Sequence, residues 1–110
     1  MTVAEIKNRP DYVFDCEIKL HLDEINDNYE SWGMGLVWFK DDEFIGAEYN
    51  LCLEDGENYS AIYRSVITED GYLSADYDDY IPYKIDFTDK DWEAKFEDAM
   101  CEALITFFHL

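Results

Sequence analysis

Residues Thr88–Leu110 read TDKDWEAKFEDAMCEALITFFHL, and the fold turns on how that run is taken. Thr88, followed three residues later by Asp91, reads as a helix N-cap with an acidic third position, and acids in a first turn complement the positive end of the helix dipole. Beyond them Trp92, Phe96, Ala99, Met100, Ala103, Leu104, Phe107 and Phe108 recur at the three-and-four spacing that lines one face of a helix. The other face carries Asp89, Glu93, Glu97, Asp98 and Glu102 against Lys90 and Lys95. A helix of roughly 30 Å, at about 1.5 Å per residue, is expected to bury an aromatic stripe and show water a mostly negative edge.

Both properties extend to the whole chain. Its 110 residues suit one domain, 1–110, with a single core. Hydrophobic residues make up 48% and aromatics 17%, which excludes the composition of a disordered chain. The 27 acids against 8 bases leave a formal charge of −19, which repels itself in any compact state and argues against direct contact with nucleic acid or an anionic membrane. Spread evenly over the surface expected for this mass, that charge is only about a third as dense as on a DNA duplex. A polyanion-like face therefore requires the acids to gather on one side.

The opening MTVAEIKNRP lacks the apolar run of a signal peptide, and nowhere do about 18 apolar residues follow one another, so a soluble cytoplasmic protein is expected. Cys16, Cys52 and Cys101 are widely spaced among apolar neighbours and read as buried free thiols. No CxxC pair suggests zinc.

Taken in order, Thr2 and Glu5 fit a capping box for a short amphipathic turn that Pro10 stops. From Tyr12 to Leu22, apolar residues alternate with Asp15, Glu17, Lys19, His21 and Asp23, the pattern of a long half-buried strand. Asn26 to Ser31 reads as a turn. A second strand follows through Leu36–Phe39, with Gly33 and Gly35 at its start, and Asp41-Asp42 returns the chain into a third with Ile45, Ala47, Tyr49, Leu51 and Leu53 alternating. Glu54-Asp55-Gly56 and Glu69-Asp70-Gly71 mark two further turns, before a strand from Tyr59 to Ile67 and before Tyr72-Leu73. After the acidic stretch Asp76–Asp79, the alternation of Ile81, Tyr83, Ile85 and Phe87 predicts a last strand, placed at a sheet edge by Pro82. The expected fold is α+β: an antiparallel sheet of about five strands in a meander, a short N-terminal helix, and the long C-terminal amphipathic helix packed on one face. Many acids fall where they would point to the other, wet face.

Catalytic patterns are missing. Acid–base catalysis needs one carboxylate with a raised pKa beside an ionised one, and no acid stands out from this background. His21 on a strand's polar face and His109 at the helix end suit structural roles. There is no GxSxG serine, phosphate loop, zincin or Rossmann spacing. Asp76, Asp78 and Asp79 resemble a calcium loop only superficially, since Tyr80 and the missing glycine break the pattern. No enzyme, cofactor or metal site is therefore assigned.

What remains is acid interleaved with aromatic and amide groups, at Asp76, Tyr77, Asp78, Asp79 and Tyr80 and again across Asp23–Glu30. Such surfaces attract Arg and Lys through carboxylate forks and stacking on tyrosine rings, so the implied partner is a basic, nucleic-acid-binding protein. In charge and length the chain resembles small phage-encoded DNA-mimic inhibitors, among them anti-restriction and anti-CRISPR proteins; the likeness covers no motif. It implies a folded polyanion that occupies a Lys/Arg groove. The partner-binding candidates are Asp76, Tyr77, Asp78, Asp79 and Tyr80, the helix acids Glu93, Glu97, Asp98 and Glu102, and Asp27 and Glu30. The alternatives are an immunity protein or antitoxin that masks a basic nuclease toxin, and an acidic soluble domain of unrelated function. The exposed strand edge also leaves a homodimer open.

Overall fold

The computed structural model describes residues 1–10, 12–14, 29–40, 43–54, 57–67, 69–70 and 73–110, with the backbone alone at 29–40, 43–44, 51–54, 57–59, 67 and 73. Its elements are α1 (Val3–Lys7), β1 (Val13–Phe14), β2 (Tyr29–Lys40), β3 (Glu43–Glu54), β4 (Glu57–Ile67), β5 (Leu73–Pro82) and α2 (Trp92–Phe108). The architecture is α+β, an antiparallel sheet with a C-terminal helix and a short N-terminal helix. β2 and β3 pair from Tyr29↔Glu54 to Lys40↔Glu43, and β3 and β4 from Ile45↔Val66 to Glu54↔Glu57. β5 runs antiparallel to β4 between Ala61↔Pro82 and Ile67↔Leu73, and β1 meets β2 at Val13↔Val37 and Phe14↔Leu36.

Alternation along the strands decides which side α2 covers. Ile45, Ala47 and Tyr49 of β3 and Ile62 of β4 join Phe96, Met100, Cys101, Ala103 and Leu104 of α2 in one buried cluster, closed by Ile6 of α1 and Ile85. Phe96, fully buried, is the hub: its ring centroid lies 4.9 Å from that of Tyr49, 5.9 Å from Phe14 and 6.0 Å from Tyr83. The helical stripe expected from the sequence is thus the core face, with Cys101 added as a buried free thiol. Burial pushes the Tyr49 phenol and the Cys101 thiol above their ordinary pKa values. The Tyr49 hydroxyl faces the Ser60 side chain and the Ile85 backbone but completes no hydrogen bond.

The capping box of α1 is present: the Thr2 hydroxyl accepts from the Glu5 N–H, and the Glu5 carboxylate accepts from the Thr2 N–H. Three expectations need correction. The long helix starts at Trp92, not at Thr88. Asp86 intercepts Thr88, accepting from both its N–H and its hydroxyl, at 3.0 and 2.6 Å. The chain then makes two successive turns, Asp89 N–H to the Asp86 carbonyl and Trp92 N–H to the Asp89 carbonyl, before Lys95 N–H to Asp91 opens the helix. Asp89, not Thr88, supplies a side-chain acceptor there, taking the Asp91 N–H at 2.9 Å. At the other end His109 adopts the left-handed conformation (φ 53°), and its N–H and that of Leu110 both reach the Ile105 carbonyl.

The second correction concerns the last strand. β5 contains the acidic stretch and ends at Pro82, whereas Tyr83–Phe87 leaves the sheet after one bond from the Tyr83 N–H to the Ser60 carbonyl. Ile85 is buried and Phe87 half-buried in this coil, so the alternation reported burial without a ladder. The third is at Tyr29–Ser31, expected as turn but paired within β2, because tertiary pairing overrides weak local preference. The expected strand beyond Phe14, the turns at Asp41-Asp42, Asp55-Gly56 and Gly71-Tyr72, and Cys16, His21 and Asp27 lie outside the described residues, as do the side chains of Glu30 and Cys52.

Candidate functional site

The acidic stretch sits on β5, which among the described residues pairs only with β4. Between Tyr63↔Tyr80 and Arg64↔Asp76 the register jumps, one step on β4 standing against four on β5. Tyr77, Asp78 and Asp79 therefore bow out as a bulge, a feature that twists a strand edge away from regular pairing. The local cause is readable in the chain. The Asp76 carboxylate accepts the Asp78 N–H at 3.1 Å, an Asx-type turn that diverts the backbone from the ladder. Tyr77 and Tyr80 are 67% and 54% exposed, and Asp76 and Asp78 are exposed beside them.

Arg64 ties this edge to the helix. Its guanidinium lies 3.7 Å from the Asp76 carboxylate and 5.1 Å from the centre of the Phe108 ring near the C-terminus of α2. Both charged groups are more than a third exposed, so the pair contributes little and leaves the edge negative. A cleft of about 420 Å³ runs beside it, lined by Arg64, Ser65, Val66, Ser74, Ala75 and Asp76.

The helix acids behave unequally. Glu93 and Glu102 are exposed. Glu97 accepts a 2.5 Å hydrogen bond from the Tyr12 hydroxyl and keeps only 28% side-chain exposure, and Asp98 accepts from the Lys7 ammonium at 2.5 Å. The Asp98 hydrogen bond raises the Lys7 pKa, and burial, reinforced by Glu97, holds the Tyr12 phenol well above its ordinary value. Glu97 and Asp98 thus also fasten α1 and Tyr12 to α2, while Asp98 keeps more than half of its side chain exposed. Asp89 is likewise engaged, by Lys95.

The sheet face away from α2 also departs from expectation. At its described positions Gly46, Ala61 and Ser65 are buried and Glu48 is half-buried. Among the described residues Tyr63, Tyr77 and Tyr80 form a ring cluster over part of that face, with centroids 5.1 and 5.8 Å apart from Tyr63, and Asp76, Asp78 and Asp79 lie along the neighbouring β5 edge. Tyr63 and Glu48 were not among the sequence candidates; strand alternation placed them on one face, but only cross-strand register makes them neighbours.

The full surface of 7072 Å² shared among 19 net charges gives about 370 Å² per charge, against about 100 Å² on a duplex, so only a local concentration can imitate nucleic acid. Among the described residues no three His, Cys, Asp or Glu converge as metal ligands, and no helix is long and apolar enough to cross a membrane. Comparison with protein-family models, with curated proteins and with solved structures gave no match.

Proposed function

We propose that the chain is an acidic inhibitor that binds a basic, nucleic-acid-binding protein and occupies its groove as a folded polyanion, in the way of anti-CRISPR and anti-restriction proteins. It acts in the cytoplasm of a bacterial or phage-infected cell, by binding rather than by catalysis. In this reading the five strands form one meander with β5 as its free edge, and the contact surface is Asp76–Tyr80 with Glu93 and Glu102 as outlying charge. The bulged acidic edge carries the reading: three carboxylates and two exposed tyrosines stand within five residues, with one loosely held arginine against them. A groove built for phosphates offers Lys and Arg at comparable intervals, and a net charge of −19 steers such a partner in from a distance.

A pull-down of the tagged chain from bacterial lysate over a salt gradient tests this. The expected result is a basic nucleic-acid-binding protein retained at low salt and displaced by duplex DNA or by a guide-bound target. Retention of nothing basic at low salt overturns the reading. A single nuclease toxin held tightly up to high salt moves it to the immunity-protein alternative.

A further inference from the structure

β4 turns Ile62 and Arg64 toward α2, so Tyr63 and Ser65 lie on the opposite face of the sheet. Tyr63 stands directly across from Glu48 on β3 and from Tyr80 on β5, which places the three in a row on that face. The bulge adds the Tyr77 ring to the row. At a strand spacing of about 4.8 Å, Glu48 and Tyr80 are about 10 Å apart with Tyr63 between them, the span of one long side chain laid flat.

Two groups in this row lack what their chemistry asks for. Glu48 is half-buried, its carboxyl is pushed above the ordinary glutamate value by burial alone, and among the described residues no cation stands beside it. Its register partner on the other side is Gly35, a residue without a side chain to cover it. Two positions along β4 from Tyr63, the Ser65 hydroxyl is 1% exposed and makes no hydrogen bond. Among the described residues, a half-buried carboxylate with no cation beside it and a row of phenol rings describe a surface short of a hydrogen-bond-donating cation, while the orphaned Ser65 hydroxyl lies beneath it.

We propose that this row is an arginine site, in which a guanidinium from a basic protein lies over the Tyr63, Tyr77 and Tyr80 rings and donates to the Glu48 carboxylate. Arginine fits better than lysine. A planar guanidinium stacks on a ring while its edge forks to a carboxylate, and it sheds water more readily than a compact ammonium. The excess of acids makes a basic partner the occupant that complements the surface. The assignment rests on the reading of the chain as a binder of basic proteins, and it supplies what bulk charge does not, a preference among basic surfaces.

The test titrates the full chain at low salt with an oligoarginine and an oligolysine peptide of equal length, following the tyrosine ring resonances. Oligoarginine should bind about two- to fivefold more tightly, with the largest shifts at Tyr63, Tyr77 and Tyr80. Glu48→Gln, and separately Tyr77→Ser at a site exposed enough to tolerate it, should each shrink that preference. Glu69→Gln, the same charge change on an exposed turn, should not. Equal affinity for both peptides overturns the arginine site and leaves the acidic-binder reading standing. A preference insensitive to both substitutions also overturns the assignment. Failure of both peptides to bind overturns both readings.

Discussion

Phe96→Ala should come close to unfolding the protein, because one ring holds three otherwise separate parts of the chain. Phe96 has no exposed surface, and its ring meets Phe14 beside β2, Tyr49 on β3 and Tyr83 beyond β5. Truncating a fully buried phenylalanine costs about 3–5 kcal/mol in lost transfer energy and cavity formation. A chain of this length has about 5–16 kcal/mol of total stability, so about a fifth of it or more is at stake. At about 4 °C per kcal/mol the melting temperature should fall by at least about 12 °C. Trp92→Ala is the control. Trp92 is half-buried at the helix start with Phe87 as its ring partner, and should cost roughly 1–2 kcal/mol. Thermal melts followed by far-UV circular dichroism, with near-UV spectra to report aromatic packing, measure both. A fall below about 5 °C for Phe96→Ala, or a larger loss for Trp92→Ala, would refute the hub.

Three further outcomes follow from the charges and the buried groups. Asp78→Lys combined with Asp79→Lys should weaken binding to the basic protein captured by pull-down while leaving the melting temperature equal or higher, because self-repulsion falls; loss of folding would show that these acids hold the edge together. The phenols of Tyr12, Tyr49 and Tyr83 and the thiol of Cys101 all have raised folded-state pKa values, chiefly from burial, so their contribution is whole below the unfolded values of about 8.5 to 10 and is lost as pH climbs toward the folded ones. Urea midpoints should therefore drop between about pH 8 and pH 11, less steeply in Tyr12→Phe, and a flat profile would contradict the burial. Glu48 also titrates high, so the wild-type chain loses stability as pH rises through its folded value; Glu48→Gln should melt higher than wild type at neutral pH and approach it in acid, whereas a pH-independent difference would remove the desolvation argument.

Much of the fold was readable one residue at a time. The stripe from Trp92 to Phe108 is the core face of α2, and Thr2 with Glu5 caps α1 as expected, because both depend on spacing within a few residues. The alternation through Ile45, Ala47 and Tyr49 marked an inward row for the same reason. Errors arose where two local signals competed. Thr88 has the chemistry of a cap, but Asp86 two residues earlier takes its hydroxyl and N–H first. Tyr83, Ile85 and Phe87 alternate like a strand, yet they line the core from a coil once Pro82 has ended β5.

Local periodicity and summed charge were enough to establish an α+β chain with an aromatic interior and a strong negative balance, since each is a property of neighbours along the backbone. Which acids are engaged across the fold was settled only in three dimensions. Lys7 and Tyr12 reach Glu97 and Asp98 across some ninety positions of sequence, and cross-strand register sets Glu48 beside Tyr63 and Tyr80. Those pairings follow from how the sheet and helix dock, and no window of consecutive residues contains them.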